Sequence, residues 1–156
     1  ALADLKALYD LHFGKTAEAR NVISLFLYSG PVGTRLRLGH GPASGLPFEA
    51  TDYAQMHTGD GLLNDVARYE AFARFYGPAN RLGRSKVFQV MHHGARSSWH
   101  AGLAAKVAPT VSIFSSDPAR RRPGHPHAEV LRDFWPQGPK QVDRVQGYRV
   151  RRRMYW

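Results

Sequence analysis

Apolar positions along the chain follow two rhythms. Leu2, Leu5, Leu8 and Leu11, with Tyr9, fall on one face at helical spacing and predict a short helix ending near Gly14. Arg20–Ser29, RNVISLFLYS, is β-rich and nearly all apolar after Asn21, which predicts a central strand buried on both faces. Gly30-Pro31-Val32-Gly33 is a turn, Arg35–His40 alternates as a two-faced strand does, and Gly41–Pro47 is a loop. Phe48–Asp60 follows, ending in His57-Thr58-Gly59-Asp60. Leu62 to Tyr76 predicts an amphipathic helix packing through Leu63, Val66, Ala67, Phe72 and Phe75, closed by Gly77-Pro78.

The second half has a βαβ rhythm. Val87–Met91 predicts a strand that ends on His92-His93-Gly94. Ser97 or Ser98 can cap a helix running to about Val107, with Pro109 after it, and Thr110–Ser115 predicts another buried strand. Asp117–Gly124 is a loop, and His127 to Trp135 a helix stopped by Pro136. Lys140–Val145 and Tyr148–Met154 predict a hairpin turning at Gln146-Gly147. Strands and helices alternate without a repeat or linker, which predicts one layered α/β unit over residues 1–156.

Composition narrows the class. At 156 residues, with 43% hydrophobic and 22% charged positions, the chain can bury a core of its own. No apolar stretch approaches the roughly 20 residues of a membrane-spanning helix. The N-terminus, with Asp4, Lys6 and Asp10, is a poor signal peptide, and a cytoplasmic location is the expectation. The chain begins at Ala1 without an initiator Met, which predicts a piece of a longer or processed product. The absence of Cys excludes disulfides, thiolate ligands and a Cys nucleophile. The net charge is +10, and Ala119–Trp156 holds ten Lys/Arg against three acids, a surplus of seven. Such a basic segment attracts nucleic acid or another phosphate-rich ligand, or forms a solvated surface that meets an acidic partner.

Three segments carry candidate chemistry. In His57-Thr58-Gly59-Asp60 the glycine lets the backbone turn and present Asp60, either to a cation or as a cap of the following helix. In His92-His93-Gly94 adjacent strand residues point to opposite faces, so both reach one site only where the strand has ended. Neutral imidazole there is a metal ligand, or a ring satisfied at the top of the sheet. His125-Pro126-His127, with Arg120, Arg121 and Arg122 just before it, suits a phosphate at a helix entry, or caps that helix. His12, His40 and His100 read as structural, and Ser97-Ser98 lacks the G-x-S-x-G pattern of a serine hydrolase.

The order of these segments adds meaning. Asn21-x-x-Ser24-Leu25 opens a strand, then come Thr58-Gly59-Asp60, His92-His93-Gly94-Ala95-x-Ser97-Ser98, a strand ending at Ser115-Ser116, and Gly124-His125-Pro126-His127. From about Asn21 to the C-terminus this resembles the second half of a metallo-β-lactamase-fold hydrolase. Within that fold it is similar to the competence-type branch, the hydrolase domain of the ComEC DNA-uptake protein and its free-standing relatives. The resemblance implies the second half of an αββα sandwich and a two-metal site for Zn²⁺ or Mn²⁺. It assigns Asp60 as bridging ligand and His92 as closing the second metal position, with His93 able to exchange roles with it. His125 and His127 become a catalytic pair on the substrate side. Asn21, Ser97 and Arg120–Arg122 become substrate contacts. Ala95 replaces the branch's usual Ser.

One departure matters. The main metal motif, His-x-His-x-Asp-His, does not occur; only His125-x-His127 begins it, and Ala128-Glu129 breaks it. The resemblance therefore implies a first half supplied by a missing segment or a partner chain. It also implies an activity, hydrolysis by a metal-activated water, and the basic last quarter argues for a phosphodiester as the bond cleaved. The alternative is a non-catalytic module of the same fold that binds nucleic acid or a protein.

Overall fold

A computed structural model of the chain describes residues 2–16, 24–30, 54–117 and 124–147. The helices are α1 (Leu2–Phe13), α2 (Val66–Tyr76), the single turn α3 (Arg81–Arg84), α4 (Leu103–Val107) and α5 (Ala128–Phe134). The strands are β1 (Leu27–Ser29), β2 (Ala54–His57), β3 (Ser85–Gln89), β4 (Val111–Ser115) and β5 (Pro139–Val142). They form one five-stranded sheet in sequence order. β1 runs antiparallel to β2, and β2, β3, β4 and β5 are mutually parallel. The architecture is mixed α/β, as the alternation predicts. Among the described residues no helix is long and apolar enough to cross a membrane.

The register explains the core. Tyr28, Met56, Phe88 and Ser112 are successive cross-strand partners, so their side chains share one face. Ala54, Val90 and Phe114 extend that face, and Phe72, Tyr76, Leu103, Val107, Val130 and Phe134 cover it from the helices. Phe134 stacks on Phe88 at 6.1 Å between centroids and meets Phe114 edge-on at 6.0 Å. The other face carries Leu27, Gln55, His57, Val87, Gln89, Val111, Ile113 and Lys140, and of these Val87 is buried.

Several elements depart from the pattern-based expectation. Of the strand expected over Arg20–Ser29, Leu27–Ser29 is a strand at the margin of the described sheet, half exposed, and 20–23 lie outside the described residues. The helix expected from Leu62 starts at Val66, because Asp65 caps it by accepting the Arg68 amide at 2.8 Å. Phe75, at 68% exposure, meets the Tyr76 ring edge-on at 4.8 Å but stays outside the core; Tyr76 is buried, with its hydroxyl donating to the Phe26 carbonyl. The helix expected over Ser97–Val107 is a 3₁₀ turn, Arg96–Ser98, followed by an extended Trp99 and then α4. Asp133 causes the break: its carboxylate accepts the Trp99 indole N–H at 2.8 Å and the Gly102 and Ala104 amides at 3.2 and 3.1 Å. Residues 139–142 pair with β4 as the parallel strand β5; the second limb of the expected hairpin, like Arg35–His40, falls outside the described residues.

Candidate functional site

Four parallel strands bring their C-terminal ends to one edge, where ligands of open α/β sheets are bound. A cleft of about 570 Å³ opens there, lined by His92 and His93 after β3, Ser115, Ser116 and Asp117 from β4, Gly124 and His125, and Val142, Asp143 and Arg144 from β5. Asp60, after β2, adjoins it through His93.

Backbone links join the loops. Thr58 is buried and its hydroxyl donates to the Gln89 carbonyl at 2.7 Å, while the His92 amide donates to the Gly59 carbonyl at 2.8 Å. The Thr-Gly-Asp turn is thereby tied to the end of the neighbouring strand. His92 and His93 both adopt left-handed backbone angles, φ 46° and 57°, and Gly94 follows at φ 86°. A left-handed non-glycine residue costs of order 1–3 kcal/mol and persists where the surroundings impose it. Here the surroundings are tight: a Cβ on Gly94 would lie 2.7 Å from Pro126 Cβ and 2.9 Å from the Phe114 ring. The strand has ended before the histidine pair, so both rings reach the same edge.

Hydrogen bonds fix the ring tautomers. His93 Nδ1 lies against the Ser115 carbonyl, which only accepts, so Nδ1 carries the proton. Its Nε2 lies 3.9 Å from Asp60 Oδ1. The Arg96 amide donates to His127 Nδ1 at 3.2 Å, so that nitrogen is an acceptor. His125 Nδ1 lies 3.2 Å from the same nitrogen. His92 Nδ1 is 3.4 Å from the hydroxyl of the buried Ser98. The rings form a chain: His92 to His125 at 5.5 Å, His93 to His125 at 6.3 Å, His125 to His127 at 4.9 Å.

Charge at the rim is also organised. Asp143 Oδ1 accepts the Gln146 and Val145 amides, both at 2.7 Å, and these bonds hold its carboxyl below the ordinary carboxylate range. Glu129 is lowered by its own backbone amide and, more weakly, by Arg96, whose guanidinium lies 3.3 Å away.

The structure thus gathers Asp60, His92, His93, His125 and His127 at one edge. Ser97 is exposed and lies off the cleft lining; its neighbour Ser98 is the serine that reaches His92. Asn21, Arg120, Arg121 and Arg122 lie outside the described residues. Sequence reading missed Ser116, Asp117, Asp143 and Arg144 as site residues. Their shared signal is position just past a parallel strand, legible only once β5 is known to pair with β4.

For a divalent cation the fit is partial. Asp60 with His93 offers a carboxylate oxygen and an imidazole lone pair, and the Ser115 carbonyl orients the ring as second-shell acceptors orient metal-binding histidines. Among the described residues no group of three or more His, Asp or Glu is placed to hold a metal. Compared with family models, curated proteins and solved structures, the chain matches none.

Proposed function

We propose that this edge is one wall of a metal-dependent hydrolase site of the metallo-β-lactamase type, acting on phosphodiesters. The sheet is then the second half of an αββα sandwich, and its second face, with Val87, Val111 and Ile113, meets the other half. The observation that carries the reading is the Asp60–His93 pair: a carboxylate oxygen and an imidazole nitrogen lie 3.9 Å apart at the strand ends, one oxygen and one nitrogen ligand for an ion held between them. A divalent ion bound there supplies an activated water nucleophile and draws charge from the scissile phosphoryl group.

The chain's own residues do the rest. Asp60 and His93 hold the ion, and Ser115 keeps the His93 proton on Nδ1. His92, braced by Ser98, closes the pocket beside them. His125, 3.2 Å from His127 through the Nδ1 atoms, lines the cleft and in its imidazolium form would give a proton to a departing oxygen. His127 positions His125 and is itself positioned by the Arg96 amide.

The test is turnover of bis(p-nitrophenyl) phosphate by the full chain with added Mn²⁺ or Zn²⁺. Asp60→Asn and His93→Ala are expected to lower kcat/KM by about 100-fold, about 2.7 kcal/mol of transition-state stabilisation. No turnover with either ion, or equal turnover by Asp60→Asn, overturns the reading.

A second reading, a non-catalytic nucleic-acid-binding module, is favoured by the short ligand set and by the basic surplus of the last quarter. It expects salt-sensitive binding of a single-stranded oligonucleotide that survives Asp60→Ala and loses salt slope when Arg120–Arg122 are neutralised. Binding and slope unchanged by that neutralisation reject it.

A further inference from the structure

The cleft contains a buried hydroxyl that the proposed hydrolysis does not use. Ser116 is 6% exposed, lines the cleft, and its Oγ has no hydrogen-bond partner. Leaving a buried hydroxyl unpaired costs about 1–3 kcal/mol, so such a group within a ligand-sized cleft marks where a ligand atom belongs. The preceding residue is committed elsewhere, because the Ser115 carbonyl accepts the His93 Nδ1–H. Asp117, also in the lining, has a partner of its own, so of the three residues at the end of β4 Ser116 is the one with an unpaired hydroxyl.

Arg144 is the arginine of the same lining, and the turn that carries it is built for support. Asp143 Oδ1 accepts the Val145 and Gln146 amides at 2.7 Å each, and the Asp143 amide donates to the Gln146 carbonyl at 3.0 Å. The Asp143 carboxylate is thus used to hold the turn that brackets Arg144. A hydroxyl donor and a planar guanidinium in one cleft suit an oxygen-rich anion, and the guanidinium fork matches a phosphoryl group. A volume near 570 Å³ exceeds a bare phosphate and admits the organic group it esterifies.

We infer that Ser116 and Arg144 form a phosphoryl-binding subsite, which seats a phosphate ester with its organic group in the strand-end cleft. The inference rests on the phosphodiester reading above and assigns its substrate contacts to residues of β4 and of the turn after β5. Ser116 donates its hydroxyl to one phosphoryl oxygen, and Arg144 donates to others.

Calorimetric titration of the full chain with thymidine 5′-monophosphate, thymidine, inorganic phosphate and acetate tests it without requiring turnover. The monophosphate is expected to bind at least about tenfold more tightly than thymidine, about 1.4 kcal/mol. Ser116→Ala and Arg144→Gln are each expected to remove most of that margin and leave thymidine binding unchanged. Thermal unfolding of Ser116→Ala is expected at or above the wild-type midpoint, because the variant removes an unpaired polar atom. Equal binding of thymidine and its monophosphate, acetate competing as well as phosphate, or a margin untouched by Ser116→Ala overturns the subsite. Subsite binding without any phosphodiester turnover rejects the hydrolase reading alone; turnover with the margin unaffected by both variants rejects the subsite alone.

Discussion

The helix side of the sheet and its C-terminal edge treat polar groups in opposite ways. On the helix side most are consumed by the fold, with His100 Nε2 the exception among the described residues. Asp133 accepts three donors, the Tyr76 hydroxyl donates to the Phe26 carbonyl, and Ser112 Oγ donates to the Gln137 carbonyl at 3.0 Å. At the strand ends they are held but not used up. His93 is fixed through one nitrogen and faces Asp60 with the other, and the Ser116 hydroxyl is unpaired. Left-handed backbone is found on both sides, at Ala79, Asn80 and Ala108 and, at the edge, at His92 and His93. What sets the edge apart is that its left-handed histidines and an unpaired hydroxyl adjoin one cleft, as a site requires.

If this division holds, variants on the two sides differ in kind. The largest stability loss is expected from Phe134→Ala, which empties the contact with Phe88 and Phe114 and costs about 3–5 kcal/mol in denaturant unfolding. A loss under about 1 kcal/mol there means that the helix layer does not carry the fold. Asp133→Ala is expected to cost about 2–4 kcal/mol, since it leaves the Trp99 indole and two amides without their charged acceptor. Asp133→Asn is expected to recover part of this.

His93→Gly sharpens the contrast from the other side. It loses one hydrogen bond and relieves a left-handed residue, so stability is expected to change by no more than about 1 kcal/mol. A loss matching that of Asp133→Ala makes the edge part of the scaffold and breaks the comparison. The smallest effect is one of pH. The carboxyl of Asp143 is lowered in the folded state, so its contribution is present above the unfolded carboxylate pKa and is lost as pH falls through the lower folded value. Melting temperatures recorded downward from about pH 4 should fall slightly more steeply for wild type than for Asp143→Asn.

The sequence carried much of this design where signals were local. Val87–Met91 and Thr110–Ser115 are short β-rich runs bounded by turn residues, and both contain strands, within two residues at their ends. The histidine pairs stood out because they follow such runs. What stayed hidden depends on distant partners. Helical spacing offers Phe75 as readily as Tyr76, and the choice falls to Tyr76 because its hydroxyl finds the Phe26 carbonyl. The break at Trp99 depends on Asp133, more than thirty residues away in sequence. Pro139-Lys140-Gln141-Val142 has no strand-like alternation, and its parallel pairing with β4 alone reveals the Asp143–Arg144 side of the cleft. A local reading sees the hairpin turn at 146–147 but not the pairing with β4, and so leaves that wall out.

The central claim is that the strand-end edge holds a divalent cation between Asp60 and His93. Its most direct measurement is Mn²⁺ affinity of the full chain, by electron paramagnetic resonance titration, in wild type, Asp60→Asn, His93→Ala and Asp133→Asn. The account predicts at least about tenfold weaker binding, about 1.4 kcal/mol, for the first two variants and wild-type affinity for Asp133→Asn. Equal affinity across all four proteins, or no Mn²⁺ binding by the wild type, would contradict it.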